Sequence, residues 1–387
     1  MFSLSRFAQL MQFLPRDAFQ KAVDKHRGDR YTKNFRCWDQ TVAMIYAQME
    51  GVSSLRELET GFNQHRNHHY HLGTAQVSRS TLGDANKNRN PEVFAEVVRL
   101  LIQKAGSAVR KQRDEMLYLL DSTSIALRGR GSEWTKKSAT RTPGLKVHIL
   151  YASGAQFPVH HTITAANVND IDEGRKMPIQ RGATYVFDKG YCDYAWWARI
   201  GEQGARFVTR LKSNAAVRVE SSNAVSPEDA QHILSDQIIS FVYRSNRGKH
   251  RNLFKGTLRR VEVARADDKP LIMVTNDHEA PASQIAQLYK DRWQIELFFK
   301  WIKQHLKIKS FLGESKNAVT IQLLTALIAY LLVVLYKKAN ALPQTLWEVL
   351  AELRTGIFLC PQPEKSRWRK RRENEAIRHA LQPGLFT

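Results

Sequence analysis

The spacing of apolar and polar positions changes once along the chain, near residue 110. Up to about residue 107 the apolar residues recur at helical spacing, without the alternation that marks strands. Pro91 stands where one helix would begin, a position that tolerates proline. We therefore predict an all-α N-terminal domain, residues 1–107, with helices at about 4–12, 16–25, 38–49, 53–62, 78–88 and 91–105.

Beyond about residue 115, short apolar or alternating runs predict β-strands. Two of these runs, MLYLLD at 116–121 and ATYVFD at 183–188, end in an aspartate. Strands followed by strand and helix alternation are typical of an α/β sheet. We expect residues 108–211 to form the first part of an α/β core, with further strands at 145–151, 157–164 and 205–211 and a helix at about 193–203.

A polar stretch then interrupts this core pattern. Residues 212–278 contain three strand-like runs, IISFVYR, FKGTLRRVEV and PLIMVTN, which predict a mostly antiparallel, β-rich insertion. A helix at about 281–306 follows, and we assign residues 279–340 to the second part of the core. Residues 341–387 form a basic C-terminal tail in this interpretation.

The most apolar run of the chain, Leu323 to Leu335, raises the question of a membrane. Even with its flanks the run is shorter than the roughly 20 apolar residues that a spanning helix needs. It also contains Thr325 and Tyr330. We interpret it as a buried helix and expect no association with a membrane.

The charge of the chain indicates a polyanionic partner. The 387 residues include 59 Lys and Arg against 37 Asp and Glu, which gives a formal net charge of +22. Nucleic acid and an anionic membrane surface both fit this charge. The three cysteines are too scattered for a disulfide framework or a zinc site, and the N-terminus is not that of a signal peptide. We expect a cytoplasmic protein.

Three polar segments have alternative explanations. NQHRNHHYHLG brings together His65, His68, His69 and His71, but no cysteine or carboxylate completes a metal set, so solvated or phosphate-contacting histidines are favoured. SRSTLGDANKNR is basic and begins with a capping residue, and is either the reading helix of a helix-turn-helix or a connecting surface helix. RWRKRR, residues 367–372, is either an arm on nucleic acid or a solvated end.

Asp121 and Asp188 are candidate metal ligands because each ends an apolar run, and ligands of open α/β sheets are held at strand ends. If the two strands are neighbours, the carboxylates repel each other unless a proton or a cation neutralises them. Carboxylate oxygens suit Mg²⁺ or Mn²⁺, and two such ions could activate a water or a 3′-hydroxyl at a phosphodiester. That chemistry needs a third carboxylate, for which Glu296 is the candidate.

The segment YKDRWQIELFFKWIKQHLK, residues 289–307, carries a polar stripe. At about 100° per residue, Tyr289, Arg292, Glu296 and Lys303 fall within about 60° of one another on one helix. An apolar arc beside the stripe would seat the helix on the sheet and leave the stripe facing a cleft. The alternative is an ordinary surface helix, since Arg292 and Glu296 form an i,i+4 pair.

The stripe and the two aspartate blocks together resemble a known family. The stripe matches, at every spacing, the Tyr-x2-Arg-x3-Glu-x6-Lys signature of one branch, the IS-four type, of the DDE transposases of bacterial insertion sequences. YLLDSTS resembles the block of the first catalytic aspartate, here Asp121, and TYVFDKGY resembles the second, here Asp188. The resemblance covers most of residues 5–335 and implies an RNase H-like catalytic core interrupted by the β-rich insertion.

The resemblance also implies the chemistry and the partners. Asp121, Asp188 and Glu296 would be the catalytic residues and the ligands of two Mg²⁺ or Mn²⁺ ions. Such an enzyme binds the terminal inverted repeats of its element, in double-stranded DNA, as a homodimer. It hydrolyses a DNA strand and joins the freed 3′-hydroxyl to target DNA, which implies a bacterial, nucleoid-associated protein.

Further DNA contacts are expected around this triad. In the family the signature Tyr289, Arg292 and Lys303 contact the phosphates near the cut, and Lys300 joins the same stripe outside the signature. An arginine fork and a lysine point charge are both suited to phosphate. On another predicted strand Lys146 and His148 alternate on one face, where they are either DNA contacts or a surface pair.

One step of the family mechanism departs from the pattern. Some relatives excise through a hairpin and stack a flipped base on a tryptophan of the insertion. This chain has no tryptophan between Trp197 and Trp293. The insertion offers Phe241, Tyr243 and Phe254 as aromatic substitutes.

Two alternatives to an active transposase stay open on the sequence. The first is a DNA-binding protein of the same descent that has lost catalysis, against which the intact triad argues. The second is a metal-dependent nuclease without strand transfer. The long N-terminal helical segment and the insertion favour specific binding of DNA ends over simple degradation.

Overall fold

Helices cover both faces of one mixed sheet. The computed structural model describes residues 4–109, 116–127, 134, 143–242, 254–265 and 269–360. The basic tail motif at 367–372 lies outside these residues, as does Tyr243.

Seven helices are described in the N-terminal part, and all six predicted ones are present with ends shifted by no more than four residues. Ser54 and Ser78 cap two of them by accepting hydrogen bonds from the amides of Glu57 and Thr81. The short helix in the histidine segment was not predicted. The seven are α1 (Arg6–Met11), α2 (Arg16–Lys25), α3 (Cys37–Glu50), α4 (Leu55–Gln64), α5 (His69–Leu72), α6 (Arg79–Asn88) and α7 (Glu92–Val109).

Most of the strands and further helices that follow were predicted. The helices at Asp170–Gly174 and Leu346–Thr355 were not, and the second lies in the predicted C-terminal tail. The strands are β1 (Leu117–Ala126), β2 (Gly144–Ala152), β3 (Phe157–Ala165), β4 (Thr184–Phe187), β5 (Arg206–Arg210), β6 (Val217–Ser222), β7 (Ile233–Phe241), β8 (Leu258–Val263) and β9 (Leu271–Thr275). The helices are α8 (Asp170–Gly174), α9 (Tyr194–Glu202), α10 (Ala282–Asp291), α11 (Trp293–His305), α12 (Lys316–Ala339) and α13 (Leu346–Thr355).

The nine strands form one sheet in the order β3-β2-β1-β4-β5-β9-β8-β7-β6. The strands β1, β4 and β5 run parallel at its centre, and the other pairs are antiparallel. This mixed sheet confirms the predicted α/β core and fits an RNase H-like arrangement.

The predicted insertion continues the core sheet. Its last strand, β9, pairs directly with β5, with Val208 opposite Thr275. The outermost strand β6 was not predicted, because it is mostly exposed and carries no apolar alternation that a sequence pattern could reveal.

The N-terminal helices share their hydrophobic core with the C-terminal ones. One cluster of buried side chains extends from Phe7 in α1 to Phe358 after α13, and α12 packs against both α3 and α7. By length and composition α12 could cross a membrane, yet 94% of its most apolar window is buried inside the protein. The prediction of a buried helix is therefore confirmed, while the domain boundary at residue 107 stays a prediction.

The helix predicted at 281–306 is interrupted at Arg292. Here the amide of Arg292 bonds to the Tyr289 carbonyl, and the amide of Ile295 bonds to the Arg292 carbonyl, both at 3.2 Å. These three-residue spacings tighten the turn relative to an α-helix. The prediction of one continuous helix was wrong at this residue, and Tyr289 belongs to α10 whereas Glu296 and Lys303 belong to α11.

A buried ion pair joins the outer strands to the segment that leads into α10. The Arg259 guanidinium of β8 lies 2.7 Å from Asp236 Oδ2 of β7, and both side chains are less than a tenth exposed. Arg259 also donates to the carbonyl of Ala280. The pair thereby connects the two strands to the start of the helix that carries Tyr289.

Replacing Asp236 by alanine should destabilise the protein by about 3–5 kcal/mol, because Arg259 would be left buried without a counter-charge. Urea denaturation at neutral pH measures this change. As a control, Asp172→Ala breaks an exposed pair with Arg175 and should change the free energy of unfolding by less than about 1 kcal/mol. Equal effects of the two substitutions would contradict the buried pair.

Candidate active site

The parallel pairing of β1 with β4 sets the positions of the two aspartates. Leu120 of β1 lies opposite Phe187 of β4, and the next residues along the two strands are Asp121 and Asp188. β4 ends at Phe187, so Asp188 follows the strand as predicted. Asp121 does not end a strand, since β1 continues to Ala126 and Asp121 pairs with Ile149 of β2. The apolar run stops at Asp121 although the strand does not.

Strand alternation directs both aspartates to the face covered by α10 and α11. Leu119 and Val186 pack in the cluster that contains α11, while Leu120 and Phe187 pack on the opposite face. Side chains two residues apart in a strand share a face. Asp121 therefore lies on the same face as Leu119, and Asp188 continues the face of Val186.

Arg292, at the break between the two helices, contacts two of the three predicted catalytic carboxylates. Its Nη2 lies 2.6 Å from Glu296 Oε1, and its Nη1 lies 3.7 Å from Asp121 Oδ2. The third carboxylate, Asp188, accepts a 3.4 Å hydrogen bond from the Tyr289 hydroxyl. The Tyr289 ring in turn lies below the guanidinium, with 5.5 Å between ring centroid and Cζ. Five predicted site residues thus lie in one contact network.

Burial and the neighbouring charges shift the pKa of Asp121. The pKa of Asp121 is raised from 3.8 to about 6, chiefly because the carboxyl is buried and to a smaller extent because Glu296 and Asp188 carry negative charges. The Ser122 amide, which donates to Asp121 Oδ1 at 2.8 Å, and the charge of Arg292 act in the opposite direction. Asp121 therefore senses both other acids of the predicted triad.

The two lysines of the stripe differ in their surroundings. Lys303 is partly buried on α11, and its pKa is lowered by burial and by Lys309, with Asp121 opposing. Lys303 therefore lies within electrostatic reach of the site. Lys300 is exposed to solvent on the same helix.

The three carboxylates supply hard oxygen donors, whose chemistry fits Mg²⁺ or Mn²⁺. Across the described part of the chain, however, no three His, Cys, Asp or Glu side chains are grouped closely enough to hold a metal ion. Arg292 contacts both Asp121 and Glu296. The donor set therefore suits a divalent cation, whereas its spacing in this structure is not that of a formed metal site.

Lys146 and His148, predicted as DNA contacts or as a surface pair, have partners within the protein. His148 is completely buried and its Nε2 lies 2.9 Å from Thr164 Oγ1, so it is neither a DNA contact nor part of a surface pair. Lys146 on the same face pairs with Asp170 at 3.1 Å. Both lie on the face of the sheet opposite Asp121, because they alternate with residues that pack under α11.

Two residues of the histidine segment, His65 and His69, stack on aromatic side chains. His69 is 5% exposed, stacks on Phe62 with ring centroids 4.3 Å apart, and bonds to the Phe62 carbonyl. The prediction of solvated or phosphate-contacting histidines was therefore wrong for His69. His65 stacks on Phe358 at 4.1 Å. Sequence spacing could not reveal this role, because both aromatic partners are set by tertiary contacts.

Two aromatic residues of the insertion are unsuited to base stacking. Phe241 and Phe254 are each 8% exposed and belong to the buried cluster under α9. Phe241 packs against Tyr194 with ring centroids 4.3 Å apart. The suggestion that either could replace the missing tryptophan is not supported by this packing, and Tyr243 lies outside the described residues.

Sequence reasoning passed over Ser122 and Asp170. Ser122 follows Asp121, and its hydroxyl donates to Asp170 Oδ1 at 2.6 Å. The sequence signal was an aspartate that begins a helix after a strand, at the end of TITAANVND.

Comparison with known proteins decides the family. The model of a family described as "Transposase DDE domain" matches residues 112–332, more than half of the chain. The chain belongs to this DDE transposase family. A second model, a domain of unknown function called DUF4372, matches residues 3–75 of the DDE transposase.

Curated relatives of this DDE transposase are also named as transposases. The putative transposase y4zB of Sinorhizobium fredii is 43% identical over 261 residues, 67% of this chain and 71% of that protein. A probable transposase for insertion sequence element IS5377 of Geobacillus stearothermophilus is 26% identical over 67% of each chain. These relatives confirm the predicted function, a DNA transposase of an insertion sequence. The Tyr-x2-Arg-x3-Glu-x6-Lys branch stays a prediction.

Among solved structures, the cryo-EM structure of the piggyBac transposase synaptic complex with hairpin DNA matches with a TM-score of 0.47. The two sequences are 11% identical, and the match covers 98% of this chain and 84% of that chain.

The raised pKa of Asp121 predicts a pH-dependent effect of Asp121→Asn. Because the folded-state pKa of about 6 lies above that of an unfolded aspartate, the stability that Asp121 contributes is fully present below about pH 4 and is lost as the pH rises through about 6. The variant cannot ionise, so its stability relative to wild type should increase by about 2–3 kcal/mol between pH 4 and pH 8. Urea denaturation in metal-free buffer measures this. The exposed control Asp172→Asn should show a far smaller change, and a pH-independent difference for Asp121→Asn would refute the assignment.

Proposed function

We propose that this transposase uses Asp121, Asp188 and Glu296 as one metal-dependent site that cuts DNA at the terminal inverted repeats of its element. The same site would then join the freed 3′-hydroxyl to target DNA. The observation that carries the proposal is that Asp121 and Asp188 follow paired residues of two neighbouring strands and share the face on which Arg292 contacts both Asp121 and Glu296. Acids brought together at such an electrostatic cost are typical of catalytic sites.

These three carboxylates would hold divalent cations, and we propose two Mg²⁺ or Mn²⁺ ions. When bound, such ions activate a water or a 3′-hydroxyl and stabilise the leaving oxygen of the phosphodiester. The burial that raises the pKa of Asp121 also keeps bulk water from screening the site, which strengthens its attraction for a cation.

The side chains around the carboxylates would hold the DNA backbone. Arg292 carries a guanidinium fork of the kind that binds phosphate oxygens, and it lies beside the carboxylates of the site. Tyr289 carries a hydroxyl beside Asp188. Lys303 and the exposed Lys300 extend the positive charge along α11, and Arg292 also orients Glu296.

The wider assembly is part of the proposal. A net charge of +22 fits double-stranded DNA, because phosphate contacts by Lys and Arg release counterions. The N-terminal helices would form the domain that recognises the terminal repeats, and α6, whose outer face is largely exposed, is its candidate reading helix. We propose a homodimer on DNA, in the bacterial cytoplasm at the nucleoid.

Replacing the proposed metal ligands should abolish cleavage but not binding. With a labelled terminal repeat and Mg²⁺, Asp188→Asn and Glu296→Gln should each reduce the cleavage rate by at least about 100-fold, since each removes a charged ligand. Filter binding in EDTA should give affinities close to that of wild type. Denaturing gels with a supercoiled target separate cut ends from joined products.

Three other outcomes discriminate among the candidate functions. Wild type that binds the repeat and leaves it intact would favour the inactive DNA-binding derivative. Cut ends without joined products would favour a nuclease. Cleavage by both variants at the wild-type rate would show that Asp188 and Glu296 are not the ligands.

Arg292 should contribute one phosphate contact to the salt dependence of DNA binding. Wild-type affinity should fall steeply between about 50 and 200 mM salt, and Arg292→Ala should reduce the slope of log K against log salt by about one. Arg292→Lys keeps the charge and should retain the slope. Lys290→Ala, an exposed lysine outside the stripe, serves as the control in the same titration. An unchanged slope in Arg292→Ala would exclude the contact.

A further inference from the structure

A hydrogen-bonded network lies behind Asp121, on the opposite face of the sheet. Ser122 follows Asp121 in β1, and its side chain lies on the other face. The Ser122 amide donates to Asp121 Oδ1 at 2.8 Å, while its hydroxyl donates to Asp170 Oδ1 at 2.6 Å. One residue therefore connects the carboxylate of the proposed site to a carboxylate behind the sheet.

Asp170 is held in place by charge. Lys146 Nζ lies 3.1 Å from the same Asp170 oxygen and also donates to the Val168 carbonyl at 2.9 Å. The neighbouring His148 has Nδ1 3.7 Å from that oxygen, but burial lowers its pKa to about 4, so it is neutral near pH 7. Lys146 thus supplies the positive charge, and its side chain is only 13% exposed.

Asp170 also lies close to the turn that follows Asp188. A side chain at position 190 would begin 3.8 Å from Asp170 Oδ2, so this carboxylate lies against Gly190, two residues after Asp188. The short helix α8 packs on this turn and on β1. The same carboxylate therefore contacts the residue after the first aspartate and approaches the chain after the second.

We infer that Asp170 is a positioning residue, which acts through Ser122 to orient the Asp121 carboxylate toward the metal site. The inference rests on the proposed role of Asp121 as a metal ligand. Asp170 lies on the reverse face of the sheet and so is not itself a ligand. Partners of metal-binding side chains commonly change metal affinity by about 10- to 100-fold when they are removed.

Metal affinity tests this inference without reference to cleavage. Mn²⁺ binding to the full-length protein, followed by the electron paramagnetic resonance of free Mn²⁺ in the absence of DNA, gives a Kd for each variant. Ser122→Ala and Asp170→Ala should each weaken binding by roughly 10-fold. Ser122→Thr keeps the hydroxyl on a β-branched residue that suits a strand, and should bind nearly as well as wild type.

Two controls separate positioning from a general loss of structure. Asp172→Ala removes an exposed acid of the same helix, which pairs only with Arg175 among the described ion pairs, and should leave the Kd unchanged. The double variant Ser122→Ala with Asp170→Ala should bind no more weakly than the weaker single variant, because both changes break one connection. Fully additive losses would show that Asp170 does not act through Ser122.

The outcomes also separate this inference from the proposed function. Wild type that binds Mn²⁺, with the same Kd in Ser122→Ala and Asp170→Ala, would overturn the positioning role alone. Wild type that binds no Mn²⁺ would overturn the proposed metal site and the positioning role with it. If Asp170→Ala does not fold, the comparison of Ser122→Ala with Ser122→Thr decides, since removing one hydroxyl leaves the charges in place.

Discussion

The parallel register between β1 and β4 is the constraint on which the rest of the site depends. It brings two acids to one face at equivalent positions of neighbouring strands, where their charges repel. A one-residue slip would move every buried side chain of these strands to the wrong face, so the register fixes where both acids lie. This repulsion is reduced by the positive charge of Arg292 beside Asp121 and by the hydrogen bond that the Tyr289 hydroxyl donates to Asp188. Burial, more than this repulsion, is what raises the pKa of Asp121.

The local signals in the sequence were sufficient for most elements. Helices with capping serines and a clear apolar face, such as α4, begin within a few residues of their predicted starts. Tyr289, Arg292 and Glu296 of the stripe lie in one contact network with the two aspartates, because hydrophobic periodicity fixes which face of an element is buried. What the pattern could not show is the tightened turn at Arg292, which divides the stripe between α10 and α11.

The parts that could not be predicted depend on contacts distant in sequence. The pairing of β9 with β5 places the predicted insertion in the same sheet as the strands that position the two aspartates, and no residue within β9 identifies its partner strand. His69 looks like a polar surface residue until Phe62 covers it. Asp170 is equally unremarkable in sequence, because its partners Ser122 and Lys146 come from two other strands.

The two faces of the sheet carry acidic groups whose charges are balanced to different extents. On one face the acids lie together at an electrostatic cost, relieved by a guanidinium that contacts two of them. On the other face Asp170 is paired with Lys146 and hydrogen-bonded to Ser122, so its charge is compensated within the protein. The backbone amide of Ser122 donates to the Asp121 carboxylate on the other face. Through Ser122, the charge-paired Asp170 is thus inferred to hold the Asp121 carboxylate in position.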